Sequence, residues 1–562
     1  MKNIATAALM MALVVFAAAL GGCNGGAIVS VGSIEGPDRI EETASGEYSI
    51  DIEGGSGLTF LWSVVPPEVG VFEQPTFSKS QFTAGLVSTD LNAKISVAVS
   101  SDQLGSIQKI KNIQIVKRKG FVLTWSFQQF NALAVDNNGN VYVTGTFYGT
   151  QDFDPGEGVA ELTAKHNIFD VADCFVLKLS PKGDLLWAKA YDNGENEEGV
   201  DIAISDDGSI FILSQYEALW PKESRWHYIL TKLYPNGERL WDRDVFGYGR
   251  RIAIDNMNDI YVTGDFGGTV DFDPGPGIDE HTAVDIGDAF LSKFDTDGVY
   301  QWAKTWGGED SSWIDEGVDV FLDSAGYVYV VGLFPGDSVD FDPGPGMDIH
   351  NSTGGNIDIF ISKYGANGEF IWAKTWGGKL DYDYCFGGAP GKQDDIHVIG
   401  HCQGETDYDP GPGLVKSTAG GSFISNFSDN GDLLWADIFD GYLWQRTILV
   451  NNQGDIYTTG IFETPFDFDP GPGITMREMV GNYDMFLTKF LNDGQFQWVQ
   501  TWGGTDSIFE TDAALDPDGY IYILGFFKGS IDFDPASGME VRTTGEKEHS
   551  FLLKLTQNGS WL

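Results

Sequence analysis

The chain has few basic residues and few cysteines for its length. Its 562 residues contain 34 Lys and Arg against 82 Asp and Glu, a formal net charge of −48. Phosphate repels so acidic a chain, so anionic lipid headgroups are poor partners and we expect no nucleic-acid binding. Four cysteines are too few for a disulfide-dense scaffold of this size.

Catalytic motifs are also missing from the sequence. It contains no Gly-x-Ser-x-Gly nucleophile elbow, no His-Glu-x-x-His zinc motif and no phosphate-binding loop. We therefore expect a protein that is not an enzyme and needs no cofactor, apart from the calcium ion considered below.

Glycine and aromatic residues are plentiful. The chain has 72 Gly, and 13% of its residues are aromatic. The aromatic content is enough for packed cores, and the glycine content indicates many tight turns between short strands. The sequence therefore predicts an all-β fold.

The N-terminal segment has the pattern of an export signal. Lys2 is followed by an apolar run over residues 5–20 and then by Gly21, Gly22 and Cys23. The last four residues of this segment, Leu20 to Cys23, resemble the lipobox of bacterial lipoproteins. The resemblance implies a signal peptide over residues 1–22 and lipidation of Cys23. An uncleaved membrane anchor is the alternative.

Lipidation would anchor the protein to a membrane, outside the cytoplasm, in a bacterial cell envelope. Several acyl chains at about 0.8 kcal/mol per buried CH₂ give stable anchoring. Asn24 follows the cysteine where the inner-membrane retention signal of enteric lipoproteins has Asp. The resemblance therefore favours the outer membrane or cell surface.

A tether and a small β domain follow the signal. Residues 23–34 are rich in Gly and Ser, and residues 35–118 contain short alternating runs such as residues 58–64. The run around Trp62, followed by Pro66 and Pro67, resembles the central strand of Ig-like or PKD-like domains. The resemblance implies a small Ig-like β-sandwich with Trp62 in its core.

Residues 121–562 repeat, with a mean spacing of about 62 residues between tryptophans. Each unit contains four apolar runs separated by hairpin turns, as expected for one four-stranded propeller blade. Seven second runs and seven third runs predict a seven-bladed β-propeller. The marker Gly-x-x-x-Trp occurs at Gly183–Trp187, Gly237–Trp241, Gly298–Trp302, Gly368–Trp372, Gly431–Trp435 and Gly494–Trp498.

The two ends of the repeat predict how the ring closes. The last unit ends at Leu562, one residue before its fourth-strand tryptophan would fall. A matching strand is available in residues 121–128, around Trp125. We therefore expect this N-terminal strand to complete the last blade, which leaves no open sheet edge.

The repeat resembles the bacterial β-propeller family called SBBP. Residues 136–145, Asp-Asn-Asn-Gly-Asn-Val-Tyr-Val-Thr-Gly, match the first half of that repeat, and residues 288–294 match the second half. The resemblance implies a secreted or surface propeller with no established chemistry.

Six units carry an Asp-aromatic-Asp-Pro loop after the second run. The two carboxylates share one face of an extended chain, which would suit Ca²⁺ coordination. Alternatively, the aromatic ring packs between blades while each Asp caps turn N–H groups, and we favour this structural role. The calcium candidates are Asp152, Asp154, Asp271, Asp273, Asp340, Asp342, Asp407, Asp409, Asp467, Asp469, Asp532 and Asp534.

Cys385 and Cys402 lie at equal distances from a turn centred between Gln393 and Asp394. Equidistant residues of a hairpin face each other, so a disulfide between the two is one interpretation. Two separate buried thiols are the alternative, since a one-residue slip in register would prevent the bridge. Cys174 lies in an apolar run and is expected in the core.

These observations favour a binding or scaffold function. We expect a surface-exposed, lipid-anchored protein that presents an acidic propeller to an extracellular protein or polysaccharide. One alternative is a propeller enzyme, either quinoprotein-like or acting on a polysaccharide. The other is a passive structural spacer.

Overall fold

A computed structural model describes most of the chain. The predicted signal peptide over residues 1–22, Cys23 and the start of the predicted tether lie outside the described residues. Contacts divide the chain into two units, Met1–Lys119 and Gly120–Leu562. The described residues are 30–35, 39–41, 45–53, 59–65, 70–72, 79–84, 91–101, 105–116, 121–126, 129–165, 171–192, 195–217, 226–309, 313–336, 338–355, 357–380, 382–534 and 539–560.

The first unit contains two four-stranded sheets. Their orders are β1-β3-β6-β5 and β2-β8-β7-β4, and the pairing is antiparallel except between β2 and β8. Trp62 is buried, as the sequence predicts, together with Ile95 and Val97. The strands β1 to β8 are Ser30–Glu35, Arg39–Glu41, Ser45–Glu53, Thr59–Val65, Gly70–Phe72, Lys79–Ala84, Leu91–Ser101 and Gly105–Val116.

The tether is shorter than the sequence predicts. β1 begins at Ser30 and pairs with β3, with Ile34 opposite Ile50. Residues 30–34 therefore belong to a sheet. The Gly and Ser content of this segment predicts a loop, but Val31 and Ile34 pair with residues of β3.

The second unit begins with β9 at Phe121–Trp125, and the next three sheets follow in chain order. The first includes β10 Phe130–Val135, β11 Val141–Tyr148, β12 Thr150–Asp152, β13 Glu161–Thr163, β14 Ala172–Leu179 and β15 Leu185–Tyr191. The second includes β16 Glu195–Ile204, β17 Ile210–Glu217, β18 Trp226–Leu233 and β19 Arg239–Val245. The third includes β20 Tyr248–Ile254, β21 Ile260–Phe266, β22 Thr269–Asp271, β23 Glu280–Thr282, β24 Asp288–Phe294 and β25 Tyr300–Trp306.

Four further sheets continue the series. The fourth includes β26 Glu316–Leu322, β27 Val328–Pro335, β28 Val339–Asp340, β29 Ile349–His350, a 3-10 turn at Thr353–Gly355, β30 Ile357–Tyr364 and β31 Phe370–Trp376. The fifth includes β32 Tyr384–Pro390, β33 Ile396–Gln403, β34 Thr406–Asp407, β35 Lys416–Ser417, β36 Gly420–Phe427 and β37 Leu433–Ile438. The sixth includes β38 Trp444–Val450, β39 Ile456–Phe462, β40 Phe466–Asp467, β41 Met476–Arg477, β42 Asp484–Phe490 and β43 Phe496–Trp502. The seventh includes β44 Ile508–Leu515, β45 Ile521–Phe527, β46 Ser530–Asp532, β47 Val541–Thr543 and β48 His549–Leu555.

The first strands of these sheets form a closed ring. Each first strand contacts the first strand of the next sheet, and β44 of the last sheet contacts β10 of the first. Every one of the seven sheets has four antiparallel long strands in the order first, second, third, fourth. The short strands form separate two-stranded sheets: β12-β13, β22-β23, β28-β29, β34-β35, β40-β41 and β46-β47. Within the described part of the chain the unit is all-β and propeller-like, and no helix there is long and apolar enough to cross a membrane.

The N-terminal strand completes the seventh sheet, as the sequence predicts. β9 pairs antiparallel with β48, with Trp125 opposite Ser550 and Val122 opposite Leu553. The Trp125 indole Nε1 also donates to the Phe153 carbonyl of the first sheet at 3.0 Å. The seventh sheet thus contains both ends of the unit and is bonded to the first sheet.

The second and third strands lie inside the structure. All seven residues of β21 are buried, and so are all seven of β24. Neighbouring sheets cover both faces of these strands, which explains why apolar residues occur on both faces of each strand instead of alternating with polar ones. The cores therefore lie between consecutive sheets, and one of them joins Tyr522 and Leu552 of the last sheet to Phe175 of the first.

The glycines and tryptophans of the Gly-x-x-x-Trp marker make contacts between neighbouring sheets. Gly298 has φ +72°, and a Cβ there would lie 3.0 Å from the ring of Trp241 in the preceding sheet. The same contact recurs around the ring, and at the closure Gly183 packs on Phe121 and Leu123 of β9. Glycine is needed because the turn is left-handed and the indole of the previous sheet lies against it.

A buried lysine on the third strand also links neighbouring sheets. Lys293 lies 2.8 Å from Asp259 and 4.8 Å from the ring centre of Tyr261. Its Nζ donates to the Ala366 carbonyl of the next sheet at 3.1 Å. The fifth sheet has His397 and Asn426 at the tyrosine and lysine positions, and the Asn426 amide donates to Asp395 at 2.8 Å.

Candidate functional site

A cavity of about 960 Å³ opens where the first strands converge. Its lining comes from all seven sheets, because residues near the start of each first strand point toward the ring axis. Side chains and loop residues from the second strands, such as Gln215, Asp265 and Phe526, extend the wall. Propeller-like folds gather loops from every sheet at such a place, which suits ligand binding.

One side of the cavity is ionic. Arg250 of β20 lies 2.8 Å from Glu316 of β26 and 3.4 Å from Asp265 of β21. Nearby, Glu198 accepts hydrogen bonds from Asn131 at 2.9 Å and from Gln215 at 2.8 Å. Burial raises the pKa of both Glu316 and Asp265, and the positive charge of Arg250 opposes that effect. This wall offers fixed hydrogen-bonding groups of both signs.

Another part of the lining is aromatic. Phe386, Phe509 and Phe526 line the cavity and are each only partly buried. The Phe509 and Phe526 rings stack with centroids 5.1 Å apart and an interplanar angle of 27°. Tyr384 continues the surface beside Phe386, its ring nearly parallel at 5° and 6.2 Å away. The aromatic faces provide a platform on which flat apolar faces of a ligand can stack.

One buried aspartate, Asp201, and two partly buried aspartates, Asp319 and Asp512, interact with Arg251. Asp201, Asp319 and Asp512 occupy equivalent positions after a β-bulge in three of the first strands. Burial alone would lower the pKa of Arg251, but the three carboxylates raise it. Burial raises the pKa of Asp319 to about 6 and that of Asp512 to about 7, although Arg251 acts in the opposite direction.

These aspartates also tie sheet to sheet. Each of them accepts the backbone N–H of a first strand in the following sheet: Asp201 from Ile252 at 2.8 Å, Asp319 from Gly388 at 3.1 Å and Asp512 from Leu133 at 2.8 Å. The last bond joins the seventh sheet to the first. These three aspartates therefore have a structural role in addition to any effect on a ligand.

Glu510 is a buried residue that directly follows Phe509 in the sequence. Its side chain is 3% exposed and lines the cavity. One oxygen accepts from the Thr459 hydroxyl, whereas Oε2 has no hydrogen-bond partner among the described residues. Burial raises its pKa to about 8, and Asp512 adds to that effect. The hydroxyl of Thr511, the next residue, is likewise without a partner in the described structure.

The Asp-aromatic-Asp-Pro loops form hairpins stabilised by the aspartates themselves. Asp271 Oδ1 accepts the N–H of Asp273 at 3.2 Å and of Asp279 at 2.8 Å. Asp273 Oδ1 accepts the N–H of Gly275 at 2.7 Å. The first aspartate makes equivalent bonds in all six hairpins: Asp152, Asp271, Asp340, Asp407, Asp467 and Asp532.

The aromatic residue of each hairpin is buried against the third strand of its sheet. Phe272 is 2% exposed, and its ring centroid lies 5.3 Å from that of Phe290. Among the described residues, no group of three or more His, Cys, Asp or Glu side chains could hold a metal ion. The geometry favours the turn-capping role, and calcium binding by these loops stays a prediction.

Substituting Asp271 distinguishes the two roles. We expect Asp271→Ala to lower the free energy of unfolding by about 1–2 kcal/mol, because two amides lose their acceptor. Asp271→Asn keeps an acceptor oxygen and should cost less. Thermal unfolding in Ca²⁺ and in EDTA measures both variants. A wild-type midpoint that falls in EDTA, with Asn as harmful as Ala, would establish the calcium role instead.

The register that predicted a disulfide was wrong. Cys385 lies opposite Gly400, not Cys402, and a bulge follows Cys385. The extra residue of the bulge, together with a turn centred on Gln393, shifts the pairing that simple symmetry suggests. Both thiols are free and buried, as is Cys174, and burial raises the pKa of all three.

The cavity residues were not identified from the sequence. A signal was available, since the first residue after the bulge is Asp in three repeats and Arg in one, at positions 201, 319, 512 and 251. The sequence alone does not show that these residues lie close together, because only closure of the ring brings aspartates of three separate repeats near Arg251.

Similarity to a known protein supports a repeated fold. No family model matches the chain. An uncharacterised WD-repeat-containing protein of Acanthamoeba polyphaga mimivirus is 21% identical over 70% of this chain, which spans only 35% of that relative. This match agrees with a repeated fold, and the relative's own function is not carried over.

Two solved structures show lower similarity. A protein of unknown function from Bacteroides caccae has 9% identity and a TM-score of 0.29, covering 64% of this chain and 93% of its own. Pseudomonas brassicacearum lignostilbene dioxygenase has 10% identity and a TM-score of 0.33, covering 72% of this chain and 87% of its own. At TM-scores below 0.5, neither similarity bears on the activity of this chain.

Proposed function

We propose that this protein is a lipid-anchored binding protein of a bacterial cell envelope that binds an extracellular polysaccharide. In this proposal residues 121–562 form a seven-bladed propeller of the SBBP type. Residues 35–118 form an Ig-like spacer, and lipids on Cys23 hold the protein to the membrane, with the outer membrane or cell surface favoured. The lipobox pattern and the repeat sequence support these assignments.

The observation that carries the binding proposal is the two-sided lining of the central cavity. Stacked phenylalanine rings form one part, and paired Arg, Glu, Asp, Asn and Gln side chains form another. A sugar ring has an apolar face of C–H groups and an edge of hydroxyls, so it can stack on the first and hydrogen-bond to the second. A flat protein surface would leave the cavity unfilled.

Glycan-array binding followed by calorimetry with the full-length chain in detergent tests the proposal. We expect an envelope polysaccharide or its oligomers to bind, and Phe509→Ala to weaken binding at least about tenfold, or about 1.4 kcal/mol. Tyr234→Ala is the matched control, because Tyr234 is an exposed aromatic residue that does not line the cavity. Absence of binding to any glycan, or equal losses in both variants, would reject the proposal. Capture of an extracellular protein instead would favour a protein ligand.

A further inference from the structure

The central cavity contains a buried acceptor that the protein itself does not use. Glu510 Oε2 is shielded from solvent and has no hydrogen-bond partner among the described residues. A buried polar atom without a partner costs about 1–3 kcal/mol, more if it is charged, so such atoms in a binding cavity indicate where a ligand group fits. Thr511 lines the same cavity, and its hydroxyl has no hydrogen-bond partner among the described residues.

Other carboxyl groups that line the cavity or interact with Arg251 are already engaged. Glu316 and Asp265 pair with Arg250, and Glu198 holds two amide groups. Asp201, Asp319 and Asp512 accept backbone N–H groups of the next sheets. The side chains of Thr459 and Thr447 also act on Glu510. Glu510 differs from these neighbours in that its Oε2 is a buried oxygen without a hydrogen-bond partner among the described residues.

The charge around Glu510 favours a cationic group. Deeper in the ring, Asp201, Asp319 and Asp512 surround a single guanidinium, that of Arg251. Arg446 also influences Glu510, but more weakly than Asp512 does. Carboxyl groups outnumber guanidinium groups here, so a positive ligand group favours their ionised forms and gains electrostatic energy in this part of the cavity. Since burial raises the pKa of Glu510 to about 8, pairing with a protonated amine near pH 7 releases the carboxyl proton to solvent.

The aromatic wall supplies a second attraction for a cation. Phe509 precedes Glu510 directly, and its ring stacks on that of Phe526. A positive charge near the face of an aromatic ring is stabilised by about 0.5–2 kcal/mol, depending on its desolvation. Glu510, Phe509 and Phe526 all line the same cavity, so a protonated amine that enters it can meet both the carboxyl group and the ring faces.

Building on the proposed glycan-binding function, we propose that the cavity recognises an amine-bearing sugar, with the protonated amine on Glu510 Oε2 and the sugar ring against Phe509 and Phe526. The hydroxyl of Thr511 is placed to bond a sugar hydroxyl beside the amine. N-acetylation of the sugar would remove the charge and enlarge the group that enters this corner. The ligand class is thus a polysaccharide with free amino groups, such as a glucosamine oligomer.

Calorimetry with two matched oligomers tests this inference on the full-length chain. The probes are a β-1,4-linked glucosamine hexamer and its fully N-acetylated counterpart. We expect the free-amine hexamer to bind at least about tenfold more tightly, and Glu510→Gln to abolish that preference while retaining the shape of the side chain. Asp437→Asn is the control. Asp437 is a partly buried residue whose buried Oδ2 also lacks a hydrogen-bond partner among the described residues, but it does not line the cavity.

The outcomes separate this inference from the broader proposal. Equal binding of the two hexamers, or a preference that survives in Glu510→Gln, would overturn the amine assignment and leave glycan binding intact. If neither hexamer binds and the glycan array is also negative, both proposals are wrong. The comparison of the two hexamers on the unmodified chain does not depend on any variant, so it decides the ligand class even if Glu510→Gln fails to fold. In that case Glu510→Ala takes the place of Glu510→Gln, and a preference that survives in it would overturn the assignment to Glu510.

Discussion

Replacing residues 121–126 with a Gly-Ser segment of equal length is expected to destabilise the Gly120–Leu562 unit by more than about 5 kcal/mol. β9 is hydrogen-bonded to β48 along its length, and its Trp125 is buried at 3% exposure. Losing one buried tryptophan costs about 3–5 kcal/mol by itself. The replacement also removes Phe121 and Leu123 from contact with Gly183 of the first sheet.

Thermal and denaturant unfolding would measure this loss, and a peptide of residues 119–127 added in trans should restore part of it by refilling the open edge. Trp502 offers a matched control. It is 1% exposed and donates to the Phe533 carbonyl at 3.0 Å, the same bond that Trp125 makes with Phe153. We expect Trp502→Ala and Trp125→Ala to cost similar amounts and neither to respond to the peptide. An unchanged midpoint after the Gly-Ser replacement would disprove the closure.

We also expect the protein to be more stable at pH 5.5 than at pH 8. Burial raises the pKa of Asp358 and Glu510 to about 8, and that of Asp383 to about 7. In the unfolded chain such groups ionise near pH 4. Between these values the folded state binds more protons, so the stability is present in full below about pH 4 and is lost as the pH rises through 6 to 8.

Two histidines act in the opposite direction. Burial lowers the pKa of His397 and His401 to about 4, so their contribution is present above pH 6.5 and is lost on acidification. The carboxyl groups are more numerous, so their effect dominates. Those with a pKa raised to between about 6 and 8 are Asp288, Asp319, Asp358, Asp383, Asp437, Glu510 and Asp512.

Thermal midpoints at pH 5.5, 6.5 and 8.0, at constant ionic strength, check the direction. One pKa unit corresponds to about 1.4 kcal/mol, so the difference across this range should reach several kcal/mol. Asp358→Asn removes one of the largest contributions and should flatten the pH dependence. Asp297→Asn, at an exposed turn position, is the control and should leave the slope unchanged. A midpoint that rises from pH 5.5 to pH 8 would contradict this account.

Several features could be predicted because they depend on local patterns. The continuous apolar runs around Val143 and Ile260, separated by Gly-containing turns, predict buried strands because neighbours in sequence set strand and turn propensity. The position of Gly559 relative to the chain end predicts that β9 completes the last sheet. Repetition makes these patterns reliable, since the same signal occurs in each unit.

The register of paired strands could not be predicted from the sequence. The bulge after Cys385 has no obvious residue signature, yet it moves Gly400 into the position that symmetry assigned to Cys402. The strand at Ser30–Glu35 was similarly hidden by its Gly and Ser content. Pairing with a distant strand decided both cases, and pairing energy comes from contacts that a local window does not contain.

The sequence by itself determined the repeated strands and the way in which the ring is completed. It also gave turn capping as one of two possible roles of the loop aspartates. Each of these follows from short-range pattern or simple counting. Only the tertiary structure placed Arg251 among Asp201, Asp319 and Asp512. It also left Glu510 with an oxygen that has no hydrogen-bond partner in the described part of the chain. These residues come from separate sheets that meet at the ring axis. Their electrostatics depend on distances through space and on burial, which exist only once the ring has closed.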